Sequence, residues 1–232
     1  MKIDNAIRLS FFPEVFPMSI KIIFADDHEI FHDCVKALFD SHDRIEVLAT
    51  VSEGRAAVRL AEELKPDVVV MDLAMPFLNG FDATRRIVAE TPGVKVVALS
   101  SHKDRKFILS MLKAGARGYV VKDSVIAELV QAIEVVMAGG MYLSPGVTDI
   151  VMNNLLHDSE EEAFSPFDNL TPRERETLQL LVEGTPIKDI AELLNVSAKT
   201  VETHRHNIMQ KLGVESLPEL TKLAIREGLT TL

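Results

Sequence analysis

The chain has 232 residues, of which 47% are hydrophobic and 26% are charged. This length predicts two domains of ordinary size, and the composition excludes a disordered or low-complexity protein. The single cysteine, Cys34, excludes an intramolecular disulfide and favours a reduced, cytoplasmic protein with Cys34 in its core. The formal net charge of −10 excludes recognition of a polyanion through bulk charge alone.

Residues 1–19 are predicted to form an N-terminal extension. Pro13, Glu14 and Pro17 interrupt its apolar residues, so we expect neither a secretion signal nor a membrane span there. The protein is therefore predicted to be cytoplasmic, with no membrane partner.

Between residues 20 and 143, short apolar runs alternate with amphipathic segments. The runs that resemble strands lie at residues 21–25, 47–51, 68–71, 94–100 and 118–121. This alternation predicts an α/β fold with a five-stranded parallel sheet. Because runs such as Val68-Val69-Val70-Met71 are apolar on both faces, helices should cover both sides in a doubly wound arrangement. A ligand site is expected at the carboxyl ends of the strands.

Polar side chains that suit phosphoryl chemistry end four of these strands. Asp26 and Asp27 end the first strand, Asp72 the third and Ser100 the fourth, and Lys122 follows the fifth. Crowded carboxylates repel one another unless a cation neutralises them, and hard oxygen ligands suit Mg²⁺. The pattern predicts a magnesium site where Asp72 attacks a phosphoryl group whose oxygens Ser100 and Lys122 hold.

These positions, with the run Asp72-Leu-Ala-Met-Pro-Phe-Leu-Asn-Gly80 and with Tyr119-Val-Val-Lys122, resemble the receiver domain of response regulators. The resemblance implies a flavodoxin-like receiver over residues 20–143, with Asp72 as the phospho-acceptor. It also implies that Mg²⁺ is bound directly by Asp27, Asp72 and the Ala74 carbonyl, and by Asp26 through water. Ser100 and Tyr119 are then a coupled switch pair, and Lys122 binds phosphate. A degenerate receiver that is never phosphorylated is the alternative.

The segment from His28 to His32 also matches the H-E-x-x-H pattern of zinc metalloproteases. The zinc site of such a protease requires a third ligand. The extended motif is absent, because Val35 and Leu38 occupy its Gly and His positions, which leaves Glu53 as a weak candidate. A receiver helix that buries Ile30, Phe31 and Cys34 explains the segment without zinc.

Residues 144–167 contain prolines, Gly146 and an acidic run, and are predicted to be a linker with one short helix at residues 148–156. From residue 168 to 232 the pattern is helical throughout. Four helices are predicted there, at residues 172–183, 187–194, 198–212 and 217–227. Thr171, Pro172 and Glu174 supply a capping residue, a first-turn proline and a capping-box partner for the first of them.

Four motifs of this second domain resemble LuxR-type helix-turn-helix domains: Leu170-Thr-Pro-Arg-Glu-Arg-Glu176, Ile187-Lys-Asp-Ile-Ala191, Ser197-Ala-Lys-Thr-Val-Glu-Thr-His-Arg-His-Asn-Ile208 and Lys211-Leu-Gly-Val214. With the receiver in front, the chain resembles the NarL/FixJ subfamily of transcriptional regulators. The resemblance implies a sensor histidine kinase and DNA as partners and a homodimer on activation. It implies no enzyme activity beyond transfer of phosphate to the protein's own aspartate and loss of that phosphate. Pro186 and Ile187, and the run Ser216-Leu217-Pro218, depart from the usual pattern.

The helix at residues 198–212 is expected to enter the major groove of DNA. Val201, Ile208 and Leu212 mark its buried stripe and leave a polar face outward. The residues predicted to bind DNA are Lys199, Thr200, Glu202, Thr203, Arg205, His206 and Lys211, of which Arg205 and Lys211 reach phosphates and Glu202 and Thr203 reach bases. For His204, packing and phosphate contact both stay open. The alternative function is a receiver whose terminal helices bind a protein partner, as in an antagonist.

Overall fold

The computed structural model describes residues 19–40, 42–156 and 165–230. Residues 1–18 of the predicted extension and residues 157–164 of the predicted linker lie outside the described residues. No helix within the described ranges is long and apolar enough to cross a membrane.

The N-terminal domain is built on a parallel sheet. Its strands are β1 (Ile20–Ala25), β2 (Ile45–Val51), β3 (Val68–Asp72), β4 (Lys95–Ser100), β5 (Gly118–Val121) and β6 (Tyr142–Leu143). They lie side by side in the order β2-β1-β3-β4-β5-β6, and every neighbouring pair is parallel. The order reverses direction between β1 and β3, which places a crevice at the carboxyl ends of these two strands.

The prediction of five strands was wrong by one. β6 is an additional strand, in which Tyr142 and Leu143 pair with Gly118 and Tyr119 of β5. A strand of two residues is too short to show the alternation of apolar and polar residues on which the prediction depended.

Helices cover both faces of the sheet, as the doubly wound arrangement requires. They are α1 (Glu29–Asp40), α2 (Gly54–Leu64), α3 (Gly80–Glu90), α4 (Arg105–Ala114), α5 (Val125–Met137) and α6 (Pro145–Leu156). Val35 of α1 and Leu129 of α5 pack on one face, whereas Ala57 of α2, Ile87 of α3 and Ile108 of α4 pack on the other. The α/β fold predicted from the apolar runs is confirmed.

Helix α1 differs from the prediction in which face it buries. Its buried residues are Val35 and Phe39, spaced one helical turn apart. Ile30, which was expected in the core, is 76% exposed, and Cys34 is only half-buried. Both expectations were wrong, because Ile30 and Cys34 share a stripe of α1 that lies beside the buried stripe of Val35 and Phe39.

The C-terminal domain contains α7 (Pro172–Val182), α8 (Ile187–Leu194), α9 (Ala198–Leu212) and α10 (Leu217–Arg226). The observed bounds agree with the four predicted helices to within one residue. Thr171 and Glu174 form the predicted capping box, in which each side chain accepts a hydrogen bond from the backbone N–H of the other. Asn195 and Gly213 end α8 and α9 in the left-handed conformation.

The helix predicted within the linker begins earlier than expected, at Pro145. Val147 of α6 is fully buried in the apolar cluster of the first domain. After residues 157–164 the chain makes a 3₁₀ turn (Pro166–Asn169), in which Phe167 is buried in the second domain. The beginning and the end of this connection are therefore each packed on a domain.

The two domains contact one another along α7. Arg175 lies 2.7 Å from the carboxylate of Asp82 on α3, and Glu176 lies 2.7 Å from Arg86 on the same helix. Arg175 is about nine-tenths buried in this contact, and Glu176 is buried. The C-terminal domain thus packs against α3 and the loop that precedes it.

Candidate functional site

A buried ion cluster lies at the carboxyl ends of β1, β3 and β5. The Lys122 ammonium nitrogen is 2.8 Å from Asp26 Oδ2 and 2.9 Å from Asp72 Oδ2, and all three residues are buried. The other oxygen of Asp72 accepts a hydrogen bond from the backbone N–H of Leu73, at 2.7 Å. The parallel sheet therefore brings together side chains that are 46 and 50 positions apart in sequence, as the strand pattern predicted.

Asp27 and His28 lie on the open side of this cluster. Potential ligand atoms of Asp26, Asp27, His28 and Asp72 all fall within 4.8 Å of one another. His28 Nδ1 lies 2.8 Å from Asp27 Oδ1 and 3.1 Å from Asp26 Oδ1. From the sequence, His28 was expected only as part of the zinc motif. Its place directly after two carboxylates was the signal that could have assigned it to this cluster.

The acidity of Asp72 follows from its surroundings. Burial, and then the negative charge of Asp26, raise the pKa of Asp72 from 3.8 to about 6, although Lys122 acts in the opposite direction. The carboxylates thus repel one another in spite of the lysine. An additional cation would lower that repulsion, and carboxylate oxygens suit a hard divalent cation such as Mg²⁺.

Ser100 and Tyr119 are joined through the backbone of His102. The Ser100 hydroxyl oxygen accepts from the His102 N–H at 3.0 Å, and the Tyr119 hydroxyl donates to the His102 carbonyl at 2.8 Å. Both side chains are buried, and burial raises the pKa of Tyr119 to about 12, so its hydroxyl stays protonated. Movement of either hydroxyl therefore changes a hydrogen bond to the backbone of His102.

The loop from Leu73 to Asn79 connects Asp72 with α3 and is held tightly. The Gly80 N–H donates to the Leu73 carbonyl at 2.8 Å. A Cβ on Gly80 would lie 1.9 Å from the Asp72 carbonyl oxygen, so only glycine fits there. Ala74 lies in this loop and lines a cavity of about 330 Å³ together with Asp27. Ala74, whose carbonyl was predicted to bind metal, therefore lies near the exposed carboxylate of Asp27.

The two histidines of the H-E-x-x-H pattern do not converge on one point. His32 Nε2 lies 2.5 Å from the backbone carbonyl oxygen of Asp26, and its ring packs against Phe24. Among the described residues, the group that could hold a metal includes His28 but neither His32 nor Glu53. This arrangement does not support the zinc protease alternative.

Helix α9 presents a polar face to solvent. Lys199, Glu202, Thr203 and His206 are exposed, as the helical pattern predicted, whereas Val201 and Ile208 are fully buried. The Ser197 side chain caps the helix by accepting from the Thr200 N–H. A face of this kind, on a helix of 15 residues, has the size and polarity that entry into a major groove requires.

Four of the residues predicted to bind DNA have other contacts or are less accessible, among them Thr203, whose hydroxyl donates to the Lys199 carbonyl at 2.9 Å. Lys211 forms an ion pair with Glu174 of the capping box, at 2.6 Å. The Thr200 hydroxyl lies 2.8 Å from that of Ser197, and Arg205 is half-buried. His204 is also half-buried.

The two departures from the LuxR pattern lie at helix starts. Pro186 precedes α8 and makes no side-chain cap, whereas Ser216 caps α10 by accepting from the Glu219 N–H. Both helices begin where the sequence predicted.

Comparison with known proteins identifies both domains. Residues 22–134 match the family described as response regulator receiver domain, and residues 168–224 match the family described as bacterial regulatory proteins, luxR family. The transcriptional regulatory protein MctR of Rhizobium johnstonii is 38% identical over 212 residues, which cover 91% of this chain and 96% of that protein. The oxygen regulatory protein NreC of Staphylococcus carnosus is 36% identical over 214 residues, 90% of this chain and 99% of that protein.

Solved structures show the same relationship. A LuxR-family two-component response regulator from Aurantimonas has 35% sequence identity and a TM-score of 0.57, covering 60% of this chain and 99% of that one. RcsB of Salmonella enterica serovar Typhimurium, bound to a promoter, has a TM-score of 0.56 over 88% of this chain and 98% of that one. Its 22% identity supports the fold alone. The chain is therefore a response regulator of the LuxR type, in which a receiver domain precedes a helix-turn-helix DNA-binding domain.

Proposed function

We propose that a sensor histidine kinase phosphorylates this protein on Asp72, and that the phosphorylated protein regulates transcription by binding specific DNA sequences through α9. The observation that carries the proposal is the buried ion pair of Lys122 with Asp72 and Asp26. A reactive carboxylate at the end of a central strand, with a cation fixed beside it, suits the binding and transfer of a phosphoryl group.

The donor atoms of the site fit Mg²⁺. Asp27, Asp72 and the Ala74 carbonyl would hold the ion directly, and Asp26 would hold it through water. Carboxylate oxygens that lie within a few ångströms of one another, one of them on the exposed Asp27, provide the hard ligands that this ion requires. Bound Mg²⁺ supplies positive charge that offsets the carboxylates and the incoming phosphoryl oxygens.

In the transfer step, an oxygen of Asp72 attacks the phosphorus atom and forms an acyl phosphate. The bond between phosphorus and the donor breaks, and its electron pair leaves with the donor. Lys122 is already 2.9 Å from Asp72 and then binds a phosphoryl oxygen. The Ser100 hydroxyl donates to another phosphoryl oxygen once it leaves the His102 N–H, and Tyr119 follows because it shares His102.

The new charge biases the protein toward a form that binds DNA. Phosphorylation adds about two negative charges and strong acceptor oxygens at the edge of the sheet. We infer that the receivers then pair as a homodimer and that two copies of α9 occupy adjacent half-sites. A dimer is needed because the DNA-binding domain is close to neutral overall and one small domain gains little affinity from phosphate contacts alone. Light scattering with a phosphoryl mimic and DNA measures this assembly.

Incubation with acetyl phosphate and Mg²⁺ tests the receiver half of the proposal. A base-labile acyl phosphate should form on the wild-type protein and on Asp43→Asn, which alters an exposed aspartate of the same domain. It should not form on Asp72→Asn. Undiminished labelling of Asp72→Asn would refute the assignment, and no labelling of wild type would indicate a degenerate receiver.

Selection from random oligonucleotides, with and without beryllofluoride as phosphoryl mimic, tests the DNA half. We expect one motif with two half-sites, enriched more strongly when the mimic is present. If no motif were enriched under either condition, the terminal helices would be better explained as a surface that binds another protein.

A further inference from the structure

His28 lies at the open side of the carboxylate cluster, and one nitrogen of its ring faces the carboxylates. Nδ1 is 2.8 Å from Asp27 Oδ1, 3.1 Å from Asp26 Oδ1 and 4.0 Å from Asp72 Oδ2. An imidazole nitrogen is a common ligand of divalent metals as well as a hydrogen-bond donor. The same atom can therefore bond to the carboxylates directly or bind a metal ion together with them.

The position of His28 is fixed by its backbone and by its ring. The backbone N–H donates to Asp26 Oδ1 at 2.9 Å, and the carbonyl accepts from the Phe31 N–H at 3.0 Å, at the start of α1. The ring of Phe31 packs edge-on against that of His28, with 6.2 Å between the ring centroids. A ligand that is held in place by such contacts loses little conformational entropy when it binds an ion.

The spacing of the ligand atoms agrees with that around one octahedral ion. At metal–ligand distances of about 2.1 Å, neighbouring ligand atoms lie about 3 Å apart and opposite ones about 4.2 Å apart. Asp27 and Asp72 are the two carboxylates proposed to bind the ion directly. The distances of 2.8 Å and 4.0 Å from His28 Nδ1 to these carboxylates correspond to a neighbouring and an opposite pair.

A buried acceptor in the cluster also indicates that a cation belongs there. Asp26 is fully buried, and its Oδ2 accepts no hydrogen bond from the described residues, although the Lys122 ammonium nitrogen is 2.8 Å away. Buried polar atoms without a hydrogen bond are rare and are often explained by an ion or a water molecule. The cluster therefore has an acceptor that its own donors do not satisfy.

A nitrogen ligand changes which ion a carboxylate site prefers. Carboxylates, carbonyls and water suit Mg²⁺, whereas imidazole suits the first-row transition ions. For a given site the affinity rises from Mn²⁺ through Fe²⁺ and Co²⁺ to Ni²⁺. An imidazole among the carboxylates thus increases the advantage of these ions over Mg²⁺.

We propose that His28 Nδ1 is a direct ligand of the metal ion at this site, and that it shifts the preference of the site from Mg²⁺ toward first-row transition ions such as Co²⁺. This inference rests on the proposed function, because it concerns the same metal site. The imidazole takes a coordination position that water fills around Mg²⁺. The His28 side chain is 57% exposed, so the ion reaches it directly from solvent. Loading of the receiver then depends on the supply of a transition ion as well as on that of Mg²⁺.

The full-length chain provides matched variants for this inference. His28→Asn keeps a polar group near the position of Nδ1 but offers the ion an amide oxygen instead of an imidazole nitrogen. His42→Asn is the control, because His42 Nδ1 also lies beside an oxygen, at 3.1 Å from the Leu38 carbonyl. His42 follows the other end of α1, which has 12 residues and is about 18 Å long. Asp72→Asn identifies the binding that belongs to the site.

The experiment measures the dissociation constants of Co²⁺ and Mg²⁺ by calorimetry at one fixed pH. In His28→Asn the preference for Co²⁺ over Mg²⁺, as the ratio of the two constants, should fall by about tenfold or more. His42→Asn should keep the wild-type ratio, and Asp72→Asn should weaken the binding of both ions. Circular dichroism verifies that each variant is folded.

X-ray absorption at the cobalt edge provides a direct readout of the ligand. The spectra of the Co²⁺-loaded wild type and of His42→Asn should contain the outer-shell scattering of one imidazole ring. The spectrum of His28→Asn should lack it. This signature does not depend on whether the substitution also changes the affinity.

The outcomes separate the two proposals. If His28→Asn kept the wild-type ratio, or if the wild-type cobalt spectrum contained no imidazole, His28 would only bond to the carboxylates, and the proposed Mg²⁺ site would stand. If wild type bound neither ion in a way that depends on Asp72, the proposed metal site would fail, and the role of His28 would fail with it.

Discussion

The ring of Phe107 on α4 lies directly against Gly228, close to the end of the DNA-binding domain. A Cβ built on Gly228 would be 2.2 Å from Cε1 of Phe107, so a larger residue requires either the Phe107 ring or the docked domain to move. Phe107 in turn packs against the ring of His102, with 4.6 Å between the ring centroids. His102 is the residue to which Ser100 and Tyr119 both bond. Ser100 and Tyr119 are thus connected to the second domain through His102 and Phe107.

Gly228→Ala is predicted to loosen the contact between the domains without changing a residue of the proposed phosphoryl site. Gly213→Ala is the matched control, because Gly213 has nearly the same φ, 65° against 69°, but nothing within 4 Å of the added carbon. Both variants should lose about 1 kcal/mol of stability through the left-handed backbone. Only Gly228→Ala should also increase the radius of gyration, as measured by small-angle scattering. Equal radii for the two variants would contradict the contact.

The raised pKa of Asp72 predicts how stability depends on pH without divalent cations. The pKa rises from 3.8 to about 6 on folding, chiefly through burial. Between about pH 4 and pH 6 the folded protein therefore binds more protons than the unfolded chain. The free energy of unfolding should fall as pH rises through this window, by up to about 3 kcal/mol. Asp72→Asn should remove this slope, and Asp43→Asn should retain it, in urea unfolding with a chelator present.

Addition of Mg²⁺ should reverse this loss of stability at neutral pH. A cation that binds the folded protein and not the unfolded chain stabilises it in proportion to its occupancy. The midpoint of thermal unfolding at pH 7 should rise with Mg²⁺ for wild type and much less for Asp72→Asn. If Mg²⁺ raised the unfolding midpoint of both proteins equally, the ion would bind at a site that does not involve Asp72.

Two residues of α9 should have distinguishable roles on DNA. Lys199→Ala should weaken binding to every sequence and lower the slope of log affinity against log salt by about one. Glu202→Ala should instead change the preference at one base pair, by about 1–3 kcal/mol. Lys222→Ala, an exposed lysine on α10, is the control for the loss of charge. Binding titrations at several salt concentrations measure both effects. If Glu202→Ala left the preferred DNA sequence unchanged, Glu202 would not contact a base in the major groove.

Lys211 should prove to be as much a structural residue as a phosphate contact. Its ion pair with the buried Glu174 supports the capping box at the start of α7. Lys211→Ala is predicted to lower the stability of the DNA-binding domain by about 1 kcal/mol, since a half-exposed partner contributes modestly. The effect should largely disappear in the Glu174→Gln background. Full additivity of the two substitutions in a double-mutant cycle would show that the pair contributes nothing.

The sequence predicted those parts of the site that depend on one strand at a time. Asp26, Asp72, Ser100 and Lys122 follow apolar runs, and parallel strands bring their carboxyl ends together whatever the loops between them do. The contacts of Gln179 are different, because it reaches Met75 and Asn79, which lie 104 and 100 positions away in the sequence. Local periodicity holds no information on how two separately folded domains face each other, and Gln179 resembles any polar residue of an amphipathic helix.

Strand β6 determines how this protein can associate through the side of the sheet that it borders. Without it, β5 would present a row of free backbone donors and acceptors, flanked by apolar side chains, to any other chain. The two residues of β6 occupy that row at Tyr142 and Leu143 and are themselves too short to template another strand. Contacts between two receivers on this side must therefore be made by side chains, which leaves the association reversible and prevents the growth of a continuous intermolecular sheet.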